Sequence, residues 1–97
     1  MAVELVPETF APLVGERFTA SPSLGGDPLE LVLSSCEESH HARPDHPAFA
    51  LVFHAPGPGH LEQQIFTLEH AGLGGFDLFL VPHGPEAAGM AYWAVIN

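Results

Sequence analysis

The sequence predicts an all-β fold: a small antiparallel barrel or sandwich of about six strands, preceded by a short N-terminal helix. Three observations predict it. Apolar and polar residues alternate in several short runs, which is the period of a strand with one buried face. Ten Gly and ten Pro are scattered along the chain and cut it into pieces too short for long helices. The apolar share is 46% and includes seven Phe, enough to fill one modest core. At 97 residues, the chain reads as a single domain over residues 1–97, burying roughly 60 to 65% of its unfolded surface.

Taken in order, "PETFAPLVG" sets Glu8 and Thr9 ahead of Phe10, Leu13 and Val14, the pattern of a capped turn of helix that Gly15 ends. A first strand is expected around Glu16 to Ala20, broken by "SPSLGGD". In "PLELVLSSCEE" Leu29, Leu31 and Leu33 share one face, while Glu30, Val32 and Ser34 share the other. The polar "SHHARPDHP" is a loop. "AFALVFHA" carries Phe49, Leu51 and Phe53 on one face, and "PGPGH" then turns the chain.

In "EQQIFTLEH" the set Phe66, Leu68, His70 opposes Ile65, Thr67, Glu69, and the aromatic set is expected to face inward. Gly72, Gly74 and Gly75 suit a tight connection into "FDLFLVP". That strand is apolar on both faces, which predicts a central position covered on each side. In the last strand, "GMAYWAVIN", Trp93 and Val95 oppose Tyr92, Ala94 and Ile96.

Two Arg, no Lys and twelve acids give a formal charge of −10. That charge repels phosphate backbones and anionic lipid, so neither nucleic acid nor a membrane surface is an expected partner. Apolar runs such as Leu78 to Pro82 are far below the ~20 residues of a spanning helix, so no membrane insertion is expected. "MAVELVPETF" carries acids where a signal peptide carries Lys or Arg. A single cysteine excludes an internal disulfide framework. Both features point to a cytoplasmic location rather than classical secretion.

The densest chemical cluster is "CEESHHARPDH", where Cys36, His40, His41, Asp45 and His46 could ligate zinc or nickel. It lacks paired ligand units such as two CxxC motifs, so a solvated His-rich loop is the first expectation. A metal or small-ligand module, helped by His54, His60 or His83, is the alternative. Cys36 follows an alternating strand and reads as a small buried residue rather than a nucleophile. Glu37 and Glu38 point to opposite faces and cannot act as an acid and base pair. "HAPGPGHLEQQ" lacks the third Gly of GxGxxG and the GK[ST] of a phosphate loop, and "SPSLGG" is not a GxSxG elbow. Asp77 is the one acid in an apolar strand and is expected to meet solvent or a neighbouring turn. No cofactor or enzymatic activity is expected from these residues.

"FAPLVGERF", "LELVL", "FALVFHAP", "QQIFTLEHAGLGGFDLFLVP" and "YWAVIN" together resemble a small bacterial domain-of-unknown-function family, number sixty-nine sixteen in that series, over nearly the whole chain. The most specific part is carried here by Gln63, Phe66, Leu68, Glu69, His70, Leu73, Gly74 and Asp77 to Pro82. Relatives tend to show Gln-Gly where this chain has Gln63 and Gln64, and a loop poorer in His, which makes the metal reading particular to this chain. Some members are encoded beside phage tail-collar-like proteins, and the resemblance therefore implies a structural or accessory role and no catalytic residues. Within the motif, Glu69 and His70 face opposite ways, one expected under the turn and the other bonding backbone of the Gly-rich loop.

The functional expectation is a non-enzymatic structural or interaction module that pairs with itself or is accessory to a larger bacterial or phage-tail-like assembly of other proteins. The surfaces expected to do so are the hairpin of Leu73, Phe76, Leu78, Phe79, Leu80 and Val81 and the final strand with Tyr92, Trp93 and Ile96. Such residues ordinarily fill a core, but an apolar strand at a sheet edge templates pairing, and one self-complementary patch makes a homo-oligomer. Protonating all seven His would cancel seven of the ten net negative charges, mostly around pH ~6 to 7. Static light scattering should therefore rise between neutral and mildly acidic pH; a flat signal contradicts this.

Overall fold

The computed structural model describes residues 3–38, 48–56, 62–87 and 89–96. Helix α1 spans Pro7–Phe10 and runs into a 3-10 turn at Ala11–Leu13. Six strands follow: β1 (Arg17–Pro22), β2 (Leu29–Glu38), β3 (Phe49–Ala55), β4 (Gln64–His70), β5 (Gly74–Glu86) and β6 (Gly89–Ile96). They close into an antiparallel barrel in the order β1-β2-β3-β6-β5-β4, with β4 returning to β1. No helix among the described residues is long and apolar enough to cross a membrane.

The inward rows account for the closure. Phe18 and Ala20 on β1, Leu31 and Leu33 on β2, Phe49, Leu51 and Phe53 on β3, and Phe66 and Leu68 on β4 alternate with outward residues and are buried. Leu78 and Leu80 from β5 and Tyr92 and Ala94 from β6 complete the interior. Large rings fill the lumen edge to face, Phe18 against Phe53 at 5.4 Å and Phe66 against Tyr92 at 6.0 Å.

Helix α1 closes one end. Its Phe10 is fully buried and meets Phe49 at 6.1 Å and Phe76 at 5.6 Å. The helix starts one residue before the expected cap. Pro7 takes the first position, and Val6 stands at the N-cap without a side-chain bond, because proline's fixed φ suffices to begin the turn. Strand β1 begins one residue later than expected and ends two later. Ser21 and Pro22 extend it by pairing with Thr67 and Phe66 of β4, a partner remote in sequence.

Ser34 is the extra residue of a bulge in β2, since Leu33 faces Phe53 and Ser35 faces Val52. The phase of the strand therefore reverses, and Cys36 rather than Ser35 lies opposite the buried Leu51. Strand β5 also departs from expectation. It is covered on its inner side only, and Phe79 on its outer side is 52% exposed. A closed ring is a single layer, and the one helix plugs its end instead of covering β5.

The turn from β5 into β6 depends on Gly89. Its φ is +116°, and a Cβ there would collide with the carbonyl oxygen of Ala55. Gly84 has φ +80° but open space around the same position. Gly89→Ala should cost about 2–4 kcal/mol from strain and backbone displacement, and Gly84→Ala about 1–2 kcal/mol. Thermal melts of the two variants check this order; equal losses would contradict it.

Candidate functional site: the outer face of β5 and β6 and its polar borders

Alternation sends Phe79 and Val81 of β5, and Trp93 and Val95 of β6, to the outside of the barrel. Ile65 of β4 lies opposite Phe79, Val81 opposite Trp93, and Trp93 opposite Val52 of β3. Ile65 is 49% exposed and Val95 67%, while Val81 and Trp93 are half-buried. Phe79, Val81, His83, Trp93 and Val95 line a shallow depression of about 310 Å³. The His83 ring lies 4.9 Å from the indole of Trp93. The indole Nε1 is buried without a hydrogen-bond partner among the described residues, and packing holds the ring in place.

Of the nine residues expected at an interface, Phe79, Val81 and Trp93 face outward on this patch. Leu78, Leu80 and Tyr92 are buried inside the barrel, and Leu73, Phe76 and Ile96 are partly buried against the core. The structure places these six in or against the core: the two-residue period of a strand turns those on β5 and β6 away from the outer patch, and Leu73 lies in the turn before β5. β5 pairs with β4 over Gly74–Leu80 and with β6 from Val81 onward, so each strand has a ladder partner on both sides over part of its length as the barrel closes. Ile65 was missed because its place beside Phe79 comes from the β4–β5 register. Val95 was legible, since it shares a face with Trp93.

A polar strap borders the patch. His54 on β3 holds the Ser34 hydroxyl at 2.5 Å from Nδ1 and the Glu86 carboxylate at 2.6 Å from Nε2. The carboxylate can only accept, so Nε2–H is donated to Glu86, and Nδ1 of the neutral ring accepts the Ser34 hydroxyl proton. His54 lies opposite Ala91, which faces outward on β6 yet has 0% exposure. The small Ala91 side chain leaves room for His54 to reach Glu86 on β5. These three residues stand 20 and 32 positions apart in the chain, and no spacing motif joins them.

His70 makes the other two-sided contact. Its Nδ1 accepts the backbone N–H of Gly72 at 3.0 Å and of Leu73 at 3.2 Å, and its Nε2–H is donated to Glu16 at 2.6 Å. The ring also stacks on Phe18 at 4.8 Å. His70 thus ties the β4–β5 turn to the start of β1 and is the one of the pair that bonds backbone of the Gly-rich loop, while Glu69 is exposed rather than packed under the turn. Asp77 faces out and accepts the Thr67 hydroxyl of the neighbouring strand at 2.8 Å, rather than a turn. Gln64 is buried, and its Oε1 accepts the backbone N–H of Leu24 at 2.8 Å, pinning the β1–β2 connection.

His40, His41, Asp45, His46 and His60 lie outside the described residues. Cys36 is held under α1, its thiol 3.9 Å from the Pro7 carbonyl oxygen. Burial, followed by the nearby carboxylates of Glu38 and Glu8, pushes that thiol's pKa up, which disfavours the thiolate a metal would need. Among the described residues no group of three or more His, Cys, Asp or Glu could hold a metal ion. His54 and His83 belong to separate contacts.

A family model described as a domain of unknown function, DUF6916, matches residues 5–96. No curated protein and no solved structure matches the chain.

Replacing His70 by Ala removes the acceptor for two turn amides and the donor to Glu16. The variant should lose about 1–3 kcal/mol, a fall in Tm of roughly 5–15 °C, with the barrel's far-ultraviolet circular dichroism retained below the transition. A Tm within 2 °C of the parent, on the order of a few tenths of a kcal/mol, would show that the turn does not depend on this ring.

Proposed function

We propose a protein-interaction role for this chain, which belongs to the DUF6916 family of domains of unknown function: it self-associates through the outer face of β5 and β6 and serves as an accessory part of a larger assembly. The observation that carries this reading is the uncharged row of Ile65, Phe79, Val81, Trp93 and Val95 on the outside of a closed barrel. A soluble surface rarely leaves aromatic and branched side chains contiguous without a partner. The apolar side chains lie on the outside of the barrel wall, so association is face to face, through side chains, with Phe79 and Trp93 as anchors.

A second copy is the occupant best suited to this face. The patch is free of formal charge, so two copies related by a two-fold axis can meet there and keep their acids at the rim. The formal charge of −10 opposes that approach at long range, and salt weakens the opposition.

Size-exclusion chromatography with light scattering over a concentration series tests the reading. The chain should form a dimer that tightens as salt is raised. Phe79→Glu should weaken it by about 30-fold or more while leaving the melting curve close to the parent's. A monomer at every concentration and salt level would overturn self-association and leave a different protein as the partner to seek.

A further inference from the structure

The Ser34, His54 and Glu86 strap does more than join three strands. A hydroxyl, an imidazole and a carboxylate stand in hydrogen-bonded series, 2.5 Å and then 2.6 Å apart. This is the arrangement by which a serine is activated: the ring takes the hydroxyl proton, and the carboxylate orients the ring and stabilises its charged form. Ser34 is exposed and stands at the bulge of β2, a backbone irregularity that re-aims a side chain out of the regular ladder. The ring is held firmly, since the His54 side chain is only 11% exposed.

Two other contacts in the same molecule show what is particular to this one. His70 also bonds a carboxylate through Nε2, but its Nδ1 is taken by backbone amides and has no hydroxyl to deprotonate. Thr67 donates to Asp77 directly, with no imidazole to take up the proton. Only the strap, among these three, combines a nucleophile, a base and a group that orients the base.

We propose that Ser34 is a nucleophilic serine that accepts acyl groups from carboxylic esters, with His54 as its general base and Glu86 as the positioning residue. In the first step Ser34 Oγ bonds to the ester carbonyl carbon and its proton passes to His54 Nδ1. The bond from that carbon to the alkoxy oxygen then breaks, and the departing oxygen takes the proton from Nδ1. In the second step water attacks the acyl carbon and gives a proton to Nδ1. The Oγ–C bond breaks, Oγ recovers the proton, and the carboxylic acid leaves. Ser34 lies on β2, outside the face centred on Phe79 and Trp93, so this proposal and the association reading stand or fall separately.

A fluorophosphonate probe on the full chain tests it. Ser34 Oγ should bond to phosphorus as fluoride leaves and the proton moves to His54 Nδ1. Peptide mass spectrometry should find the label on Ser34 and not on Ser21, Ser23 or Ser35. Ser34→Ala should abolish labelling, and His54→Gln should slow it by about 100-fold. Should His54→Gln fail to fold, Glu86→Gln replaces a half-exposed carboxylate, and slower labelling of Ser34 is again expected. An unlabelled parent chain, label spread equally over the serines, or Ser34 labelled at the parent rate in a folded His54→Gln or Glu86→Gln variant would each overturn the proposal.

Discussion

Closure of the sheet is the constraint on which the rest of this structure depends. β4 returns to pair with β1, Ala20 opposite Leu68 and Ser21 opposite Thr67, and this contact completes the ring. A short sheet left open would expose two rows of unpaired amides and carbonyls, and a 97-residue chain has little surface to spare for covering them. The closing ladder is secured at its ends by side chains. Gln64 binds the backbone of Leu24 at one end, and His70 ties the β4–β5 turn to Glu16 near the other.

Closure also decides what the outside can do. The inward rows of Phe and Leu fill the lumen completely, and α1 seals an end with Phe10. What remains outside is one layer of outward side chains, with no second sheet packed over them among the described residues. On β1, β2 and β4 most of these are Arg, Thr, Ser or Glu, as water requires. On β5 and β6 they include Phe79, Val81, Trp93 and Val95 beyond Asp77, and this apolar row distinguishes the face from the rest of the barrel.

Two histidines serve as cross-links between distant segments, each using both ring nitrogens. His70 bonds to backbone amides and a carboxylate, which suits a joint that holds a turn in place. His54 bonds to a serine hydroxyl and a carboxylate, so the same geometry carries a transferable proton. The difference lies in the group on Nδ1, which for His54 is Ser34 at the β2 bulge.

The amino-acid sequence by itself determined the fold class, the inward rows of β1 to β4 and the Gly-bearing turns after β1 and β4, because strand period and the conformational needs of Gly are local, while the "SHHARPDHP" loop and the "PGPGH" turn lie largely outside the described residues. Alternation at Leu29, Leu31 and Leu33 or at Phe66 and Leu68 reads directly as one buried face. The turn-bonding role of His70 was legible too, since its partners Gly72 and Leu73 are two and three residues away. Tertiary structure alone decided which apolar residues of β5 and β6 are core and which are surface. A run such as Phe76 to Val81 is apolar at nearly every position, and only the closed, single-layered ring assigns Leu78 and Leu80 to the lumen and Phe79 and Val81 to solvent. The same holds for Ser34, His54 and Glu86. Their meeting requires a bulge, a non-sequential β3–β6 ladder and a small residue between them, and each of these is set by pairing between segments far apart along the chain.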